Sequence, residues 1–384
     1  MSEVHSKGTS LTELEKAAGE KMSSFARGYY SHPGEGGQTY RDNCQAFKRY
    51  RLIPRNLRDV NIRDTSVTVL GSRLDLPVAI APTAVHKVAH PDAEAATAKG
   101  AASMNTLMAL SSWSSQSLEQ VAEAAPRGVR WFYMLFYRDR GRMKRLLERA
   151  ERAGYAAIVL TVDQPLFPDS IRRKPASFPV QFSLPNVWID DDQPGPLGSM
   201  EHGAGLAKIA KEAATWEDVK WIKNNTRLPV VLKGILSAED ARIAVDLGVA
   251  GIYVSNHGGR QQDGVPATID VLPDIVGAVG GEAEVYLDGG VRTGTDVLKA
   301  LALGARCVFI GRPALWGLAL NGAEGVEEVL QVLKHELSIA MARAGCAKIS
   351  DIEPSLVVHE SYYLYRQLLN HAGKVNNKIV TSKY

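Results

Sequence analysis

From residue 76 onward the chain alternates short, uninterrupted apolar runs with stretches whose apolar positions recur every three to four residues. The runs cover residues 77–81, 106–110, 129–132, 156–160, 229–232, 251–254, 285–287 and 307–310. Apolar runs without polar alternation mark strands buried on both faces of a parallel sheet. Between them, residues 143–153, 238–247 and 295–303 carry the helical period. Eight strands alternating with helices predict an α/β fold, a closed (β/α)8 TIM barrel over about 76–345 within a single domain. An N-terminal extension, 1–75, precedes it and holds a predicted helix over 11–28, then a Gly-rich turn and an extended stretch. A loop over about 165–215 separates the fourth strand from its helix. That loop contains Pro175, Pro179, Pro185, Pro194, Gly195 and Pro196, and reads as a lid or else as disordered chain. Its Asp190-Asp191-Asp192 run lacks a calcium-loop glycine pattern and reads as solvated loop.

Barrel active sites lie at the C-terminal ends of the strands, so the residues that follow each run are the candidates. These are Pro82-Thr83-Ala84, Ser111-Ser112-Trp113, Tyr133-Met134-Leu135, Thr161-Val162-Asp163, Lys233-Gly234, Ser255-Asn256-His257-Gly258-Gly259-Arg260, Asp288-Gly289-Gly290-Val291-Arg292 and Gly311-Arg312. Eight polar or glycine-bearing ends on one rim point to a site. Loops after the seventh and eighth strands commonly bind phosphate through backbone N–H groups and a helix N-terminus. Gly289, Gly290 and Gly311 would permit the close approach, and Arg292 and Arg312 supply charge; the alternative is that these glycines only make tight turns.

Composition narrows the classes. Over 384 residues, 45% are hydrophobic and 23% charged, the profile of a globular chain large enough for one barrel. The 45 basic and 42 acidic residues are interspersed, so no nucleic-acid surface is expected. Cys44, Cys307 and Cys346 are odd in number and widely spaced, which reads as buried thiols without a disulfide framework or metal site. No apolar run suits a membrane span, and residues 1–11 lack the apolar core of a signal peptide. Ser382-Lys383-Tyr384 has the Ser-Lys of a peroxisomal address without its Leu, so the expected location is peroxisomal or cytoplasmic, not secreted. His86, His90, His202 and His335 have no ligand-spaced neighbours and read as surface or helix-packing residues. Trp216 and Trp221 read as packing a helix onto the barrel.

At the rim residues the sequence resembles the FMN-dependent α-hydroxy acid oxidase/dehydrogenase family, and within it the animal and plant 2-hydroxyacid (glycolate) oxidases. The resemblance runs from about residue 29 to 345. It is carried by Ala81-Pro82-Thr83-Ala84, Leu110-Ser111-Ser112-Trp113, residues 254–260, Val265-Pro266-Ala267-Thr268, residues 287–292 and Gly311-Arg312-Pro313. It implies FMN as cofactor, with Pro82, Thr83, Ala84, Ser111, Tyr133, Thr161 and Ser255 around the ring and ribityl chain. Asp288, Gly289, Gly290, Arg292, Gly311 and Arg312 would take the ribityl and phosphate end. It implies His257 as the base, Asp163 as its carboxylate partner, and Lys233 as the cation where reduction builds negative charge. Arg260 and Tyr29 would hold the substrate carboxylate, and Trp113 and Leu135 would line the side-chain pocket. The implied reaction turns an (S)-2-hydroxy acid into the 2-oxo acid and reduces O2 to hydrogen peroxide. The implied assembly is a homo-oligomer, a tetramer.

The chain departs from the family pattern in three places. The family usually reads Gln-Leu-Tyr at the third strand, where this chain has Tyr133-Met134-Leu135; both changed positions share one parity and should face the barrel interior. The Gly-Arg-Arg expected after the fourth strand is replaced by Pro165-Leu166-Phe167-Pro168-Asp169-Ser170-Ile171-Arg172-Arg173. Ser31-His32-Pro33-Gly34-Glu35-Gly36-Gly37 replaces the usual stretch after the N-terminal tyrosines. Leu135, Trp113, Leu166 and Phe167 would shape an apolar pocket, favouring a longer-chain or aromatic acid over glycolate. The alternatives are an FMN-binding homologue with impaired turnover, or the same half-reaction with another electron acceptor.

Overall fold

In a computed structural model of the chain, the structure describes residues 10–165, 183–188, 205, 208–210, 213–363 and 365–366. Eight parallel strands form the barrel: β1 (Val78–Ile80), β2 (Leu107–Ser111), β3 (Val129–Met134), β4 (Ala157–Thr161), β5 (Val230–Ile235), β6 (Gly251–Val254), β7 (Glu284–Leu287) and β8 (Cys307–Ile310). They pair in chain order and close where β8 meets β1, with Val308, Phe309 and Ile310 opposite Val78, Ala79 and Ile80. Alternate residues fill the interior. Trp131, Tyr253, Tyr286 and Phe309 interlock there, Trp131 lying 5.2 Å from the Tyr286 ring and 5.7 Å from Phe309. Tyr133 and Leu135 belong to the same interior cluster, as their parity predicts.

Helices wrap the outside. They are α4 (Ala93–Ser103), α5 (Leu118–Ala124), α6 (Arg140–Arg152), α7 (Trp216–Asn224), α8 (Ala238–Asp246), α9 (Thr268–Val279), α10 (Gly294–Ala302) and α11 (Arg312–Ala344). The last bends where Asn321 and Gly322 leave helical geometry. Trp216 and Trp221 on α7 pack against the core.

Three helices lie ahead of the barrel. The expected helix over 11–28 is in fact two, α1 (Leu11–Lys21) and α2 (Ser24–Ser31). The helical period runs through the junction, but Ser23 stops the first helix by capping the second: its hydroxyl accepts the Ala26 N–H at 3.1 Å. The stretch expected to be extended contains α3 (Gln38–Ala46). Its N-terminal residue Gly37 has no side chain to cap with. Asp263, from the loop after β6, accepts the Gln38 and Thr39 N–H groups at 3.1 and 2.8 Å. A hairpin of Val67–Val69 and Ser72–Leu74 adjoins the N-terminal end of β7 through Leu70 N–H and Glu284. Tyr50–Leu52 pairs antiparallel with Val357–His359.

One smaller expectation changes. Cys44 is half-buried, not buried, while Cys307 and Cys346 are buried free thiols. Of the two readings of His86, surface or helix-packing, the second holds: it is buried and bonded to Glu94 and Thr97 of α4. The loop expectations on Asp190-Asp191-Asp192, Leu166, Phe167, Arg172, Arg173 and His202, and the terminal Ser382-Lys383-Tyr384, lie outside the described residues. No described helix is long and apolar enough to cross a membrane.

The interior aromatic cluster gives the first prediction. Trp131 is fully buried and its indole N–H has no partner. Trp131→Ala should cost about 3–5 kcal/mol through the cavity it leaves. Trp131→Phe should cost less, because it also removes that buried donor. Denaturant unfolding of the two variants measures both.

Candidate active site

The strands deliver their polar residues to one end. Thr161 closes β4 and Asp163 follows it; Lys233 lies in β5; Ser255 and His257 follow β6; Asp288 follows β7. His257 sits at φ +59°, a left-handed conformation that residues with a side chain adopt uncommonly. Its N–H donates to Ser255 Oγ at 3.1 Å, and its Nδ1 lies 3.1 and 3.2 Å from the two carboxylate oxygens of Asp163.

Asp163 is the most constrained group of the site. Burial by itself would raise its pKa. The charge and hydrogen bond of His257 outweigh that, aided by Lys233 and by a 2.7 Å hydrogen bond from Thr161, and hold the carboxyl at about 2. An ionised carboxylate only accepts hydrogen bonds, so Nδ1 of His257 carries a hydrogen toward Asp163, and whenever the imidazole is neutral its lone pair lies on Nε2. Room for Asp163 comes from Gly234 at φ +112°: a Cβ there would stand 2.6 Å from Asp163 Cβ.

Beneath this pair Lys233 is buried, its Nζ 2.7 Å from Ser255 Oγ, 3.3 Å from Asp288 Oδ2 and 5.2 Å from the Tyr253 ring centroid. Burial, and then Asp288, push the Tyr253 hydroxyl well above its ordinary pKa, so it stays neutral.

Three arginines form the other side. Arg260 Nη1 donates to the carbonyls of Tyr29, Tyr30 and His32 at 2.9, 3.1 and 3.1 Å, the C-terminal end of α2. The Tyr29 ring lies beneath its guanidinium at 5.6 Å. Arg312 donates to Tyr30 O and Gly258 O and stacks on Tyr40 at 4.5 Å. Its Nη2 is buried without a partner. Burial, and then Arg260 and Arg292, depress its pKa. Arg292 stacks on Trp316 at 5.1 Å. A buried guanidinium nitrogen with no acceptor, beside two further cations and the first turn of α11, fits an anionic group such as a phosphate.

The glycines of these loops differ in what crowds them. At Gly290, φ +85°, a Cβ would overlap the Asn43 carbonyl, so the close approach there is made by helix α3. Gly311 is different: φ is −99°, and the nearest atom to a Cβ would be Thr83 Cγ2 at 3.6 Å.

The remaining sequence candidates surround these groups. Pro82, Thr83 and Ala84 follow β1 and are half-buried, Ser111 ends β2, and Trp113 packs against the interior cluster to which Leu135 and Tyr133 belong. Tyr133 is buried and held neutral, mainly by burial and secondarily by Asp163. His86, which sequence reasoning set aside, contacts Thr83 and donates or accepts at Thr97 Oγ1 at 3.0 Å; burial lowers its pKa. Sequence reasoning named Gly234 only within the Lys233-Gly234 strand end and passed over Asn43, Tyr30 and Tyr40. Only the residue pair Lys233-Gly234 carried a hint, since a glycine after a buried lysine at a strand end marks a close approach.

The Asp163–His257 pair yields a prediction in two parts. Because the folded pKa of Asp163 lies below its unfolded value, its contribution to stability is complete above about pH 4 and is lost as pH falls toward about 2, some ~2 kcal/mol in all. Asp163→Asn should flatten that acid slope in denaturation measured at pH 3 and pH 6. The same variant should lower kcat by ~10²–10⁴-fold, because an amide no longer fixes the Nδ1–H tautomer.

Comparison with known proteins agrees with this geometry. Residues 18–359 match the FMN-dependent dehydrogenase family. The chain is 45% identical over 353 residues to 2-hydroxyacid oxidase 1 of Mus musculus, covering 90% of this chain and 95% of that protein. It is 45% identical over 360 residues to glycolate oxidase 2 of Oryza sativa subsp. indica, covering 92% and 96%. Among solved structures it resembles mandelate oxidase with (S)-4-hydroxymandelic acid at TM-score 0.82 and 38% identity, covering 91% and 98%. The unpartnered Arg312 Nη2 at the start of α11 suits the phosphate of FMN. The chain belongs to the FMN-dependent dehydrogenase family and takes FMN as its cofactor.

Proposed function

We propose that this protein oxidises an (S)-2-hydroxy acid to the 2-oxo acid, passes the electrons to O2 to give hydrogen peroxide, and prefers a longer-chain or aromatic acid to glycolate. The observation that carries the reading is the His257–Asp163 pair at 3.1 Å, with Arg260 three residues after His257 on the same loop. A 2-hydroxy acid offers a carboxylate and, one carbon away, a CH–OH unit that must lose two hydrogens. The site offers a cation for the first and a base for the second.

Each residue has a part in this reading. Arg260 Nη1 is occupied by the α2 carbonyls, which fixes the guanidinium and leaves Nη2 and Nε for the substrate carboxylate. Tyr29, against that guanidinium, closes the carboxylate side. Nε2 of His257 takes the proton, and the Asp163 carboxylate stabilises the imidazolium that forms. Bound FMN supplies the acceptor for the electron pair. Arg312, Arg292, Gly311 and the Gly289-Gly290 loop would hold its phosphate, and Asp288 its ribityl hydroxyls. Pro82, Thr83, Ala84, Ser111, Tyr133, Thr161 and Ser255 would border its ring, and Lys233 supplies buried positive charge there. Tyr133 and Leu135 belong to the interior cluster against which Trp113 packs. Leu135 offers no hydrogen bond to a small polar substrate, which supports the preference for an apolar side chain, as does the likeness to mandelate oxidase.

Oxygen uptake with glycolate, lactate, a longer-chain 2-hydroxy acid and mandelate, with peroxide measured, tests the proposal. The expected result is one peroxide per acid and a kcat/KM higher for the larger acids by about tenfold or more, the scale of one or two buried methylenes. Turnover only with an artificial electron acceptor would replace oxidase by dehydrogenase. No turnover with any acid and any acceptor would overturn the reading.

A further inference from the structure

The loop that carries His257 is held from outside the barrel. Asn256 and Asn43, both 2% exposed, form a reciprocal amide pair: Asn43 Nδ2 donates to Asn256 Oδ1 at 2.8 Å, and Asn256 Nδ2 donates to Asn43 Oδ1 at 2.7 Å. The orientation of Asn256 is fixed independently. Its Oδ1 also accepts the Gly259 N–H at 3.2 Å, and its Nδ2 also donates to Pro266 O at 3.1 Å, so neither amide can be reversed without losing bonds. Asn43 lies on α3, in the N-terminal extension. The rest of that helix is fastened to the same loop by Asp263 at Gln38 and Thr39 and by the Thr39 hydroxyl on Val265 O. Just before it, Gly34 N–H donates to Gly259 O at 2.7 Å.

We infer that Asn43 is a positioning residue for His257: its amide pair with Asn256 keeps the preceding residue in place while His257 itself occupies a left-handed conformation facing Asp163. Asn256 is the immediate neighbour of His257, and its side chain ties the two ends of the turn, Asn256 and Gly259, to a rigid helix. Arg260 has a separate anchor in the α2 carbonyls. Loss of Asn43 therefore disturbs the base more than the carboxylate clamp. The effect falls on kcat and leaves KM nearly unchanged. The inference rests on the proposed oxidation for its kinetic arm only; the conformational arm is independent of it.

Asn43→Ala and Asn43→Asp test it in the FMN-loaded full chain. Aspartate keeps the shape but cannot donate to Asn256 Oδ1, so it reports on the hydrogen bond if the alanine variant fails to fold. Both variants should retain stoichiometric FMN, lower kcat by ~10- to 100-fold and change KM by less than about threefold. Amide hydrogen exchange at Gly259 should speed up by about tenfold or more, while exchange in the barrel strands keeps its wild-type rate. Unchanged kcat with unchanged exchange at Gly259 would overturn the inference, as would a rise in KM equal to the fall in kcat. If the wild type oxidises no 2-hydroxy acid, the functional reading fails, and exchange at Gly259 alone decides the role of Asn43.

Discussion

A carboxylate buried at the end of β4 has to be kept charged, and much of the site is arranged around that requirement. Burial disfavours the ionised form of Asp163; His257, Lys233 and the Thr161 hydroxyl together more than offset it. Thr161 shares the β4 end with Asp163, while Lys233 and His257 come from the ends of β5 and β6, so the pairing of three neighbouring strands brings the group together. Gly234 gives up its side chain to make space, and His257 accepts a left-handed backbone to bring its ring into line. In return the carboxylate fixes Nδ1 of the imidazole as the nitrogen that donates to it.

Positive charge is distributed with equal economy. Lys233 is matched by Asp288 and Ser255 inside the barrel. Arg260 and Arg312 sit at the rim, where the C-terminal carbonyls of α2 partly balance them; that end of a helix carries the negative pole of its dipole. The N-terminal extension is therefore part of the site's electrostatics as well as of its framework. What remains uncompensated is Arg312 Nη2, with Arg292 nearby, and a phosphate-bearing cofactor meets that need.

The barrel was legible because its strands are buried on both faces. Continuous apolar runs located all eight to within three residues at their ends, and the ends slipped where polar rim residues such as Thr161 and Lys233 continue the strand. The loop from Ser255 to Arg260 was legible for a different reason: its side chains are the chemistry, so residue type alone exposes it. What escaped depends on partners distant in sequence. Helix α3 is polar and has no cap of its own, since Asp263 supplies it. Met22 and Ser23 break a helix whose apolar period continues, because the Ser23 hydroxyl favours a new start. At Gly290 the sequence could not show that a Cβ would also meet the Asn43 carbonyl of α3. His86 reads as surface or helix-packing, and only its bonds to Glu94 and Thr97 of α4 decide for the second.

The central claim is that His257, held by Asp163, is the base in the oxidation of a 2-hydroxy acid. Anaerobic rapid mixing of wild-type and His257→Ala enzyme with an (S)-2-hydroxy acid, followed by the absorbance of the bound flavin, addresses it most directly. Rapid bleaching of the wild type and bleaching slower by ~10²–10⁴-fold in the variant is the predicted result. A variant that bleaches at the wild-type rate would contradict it.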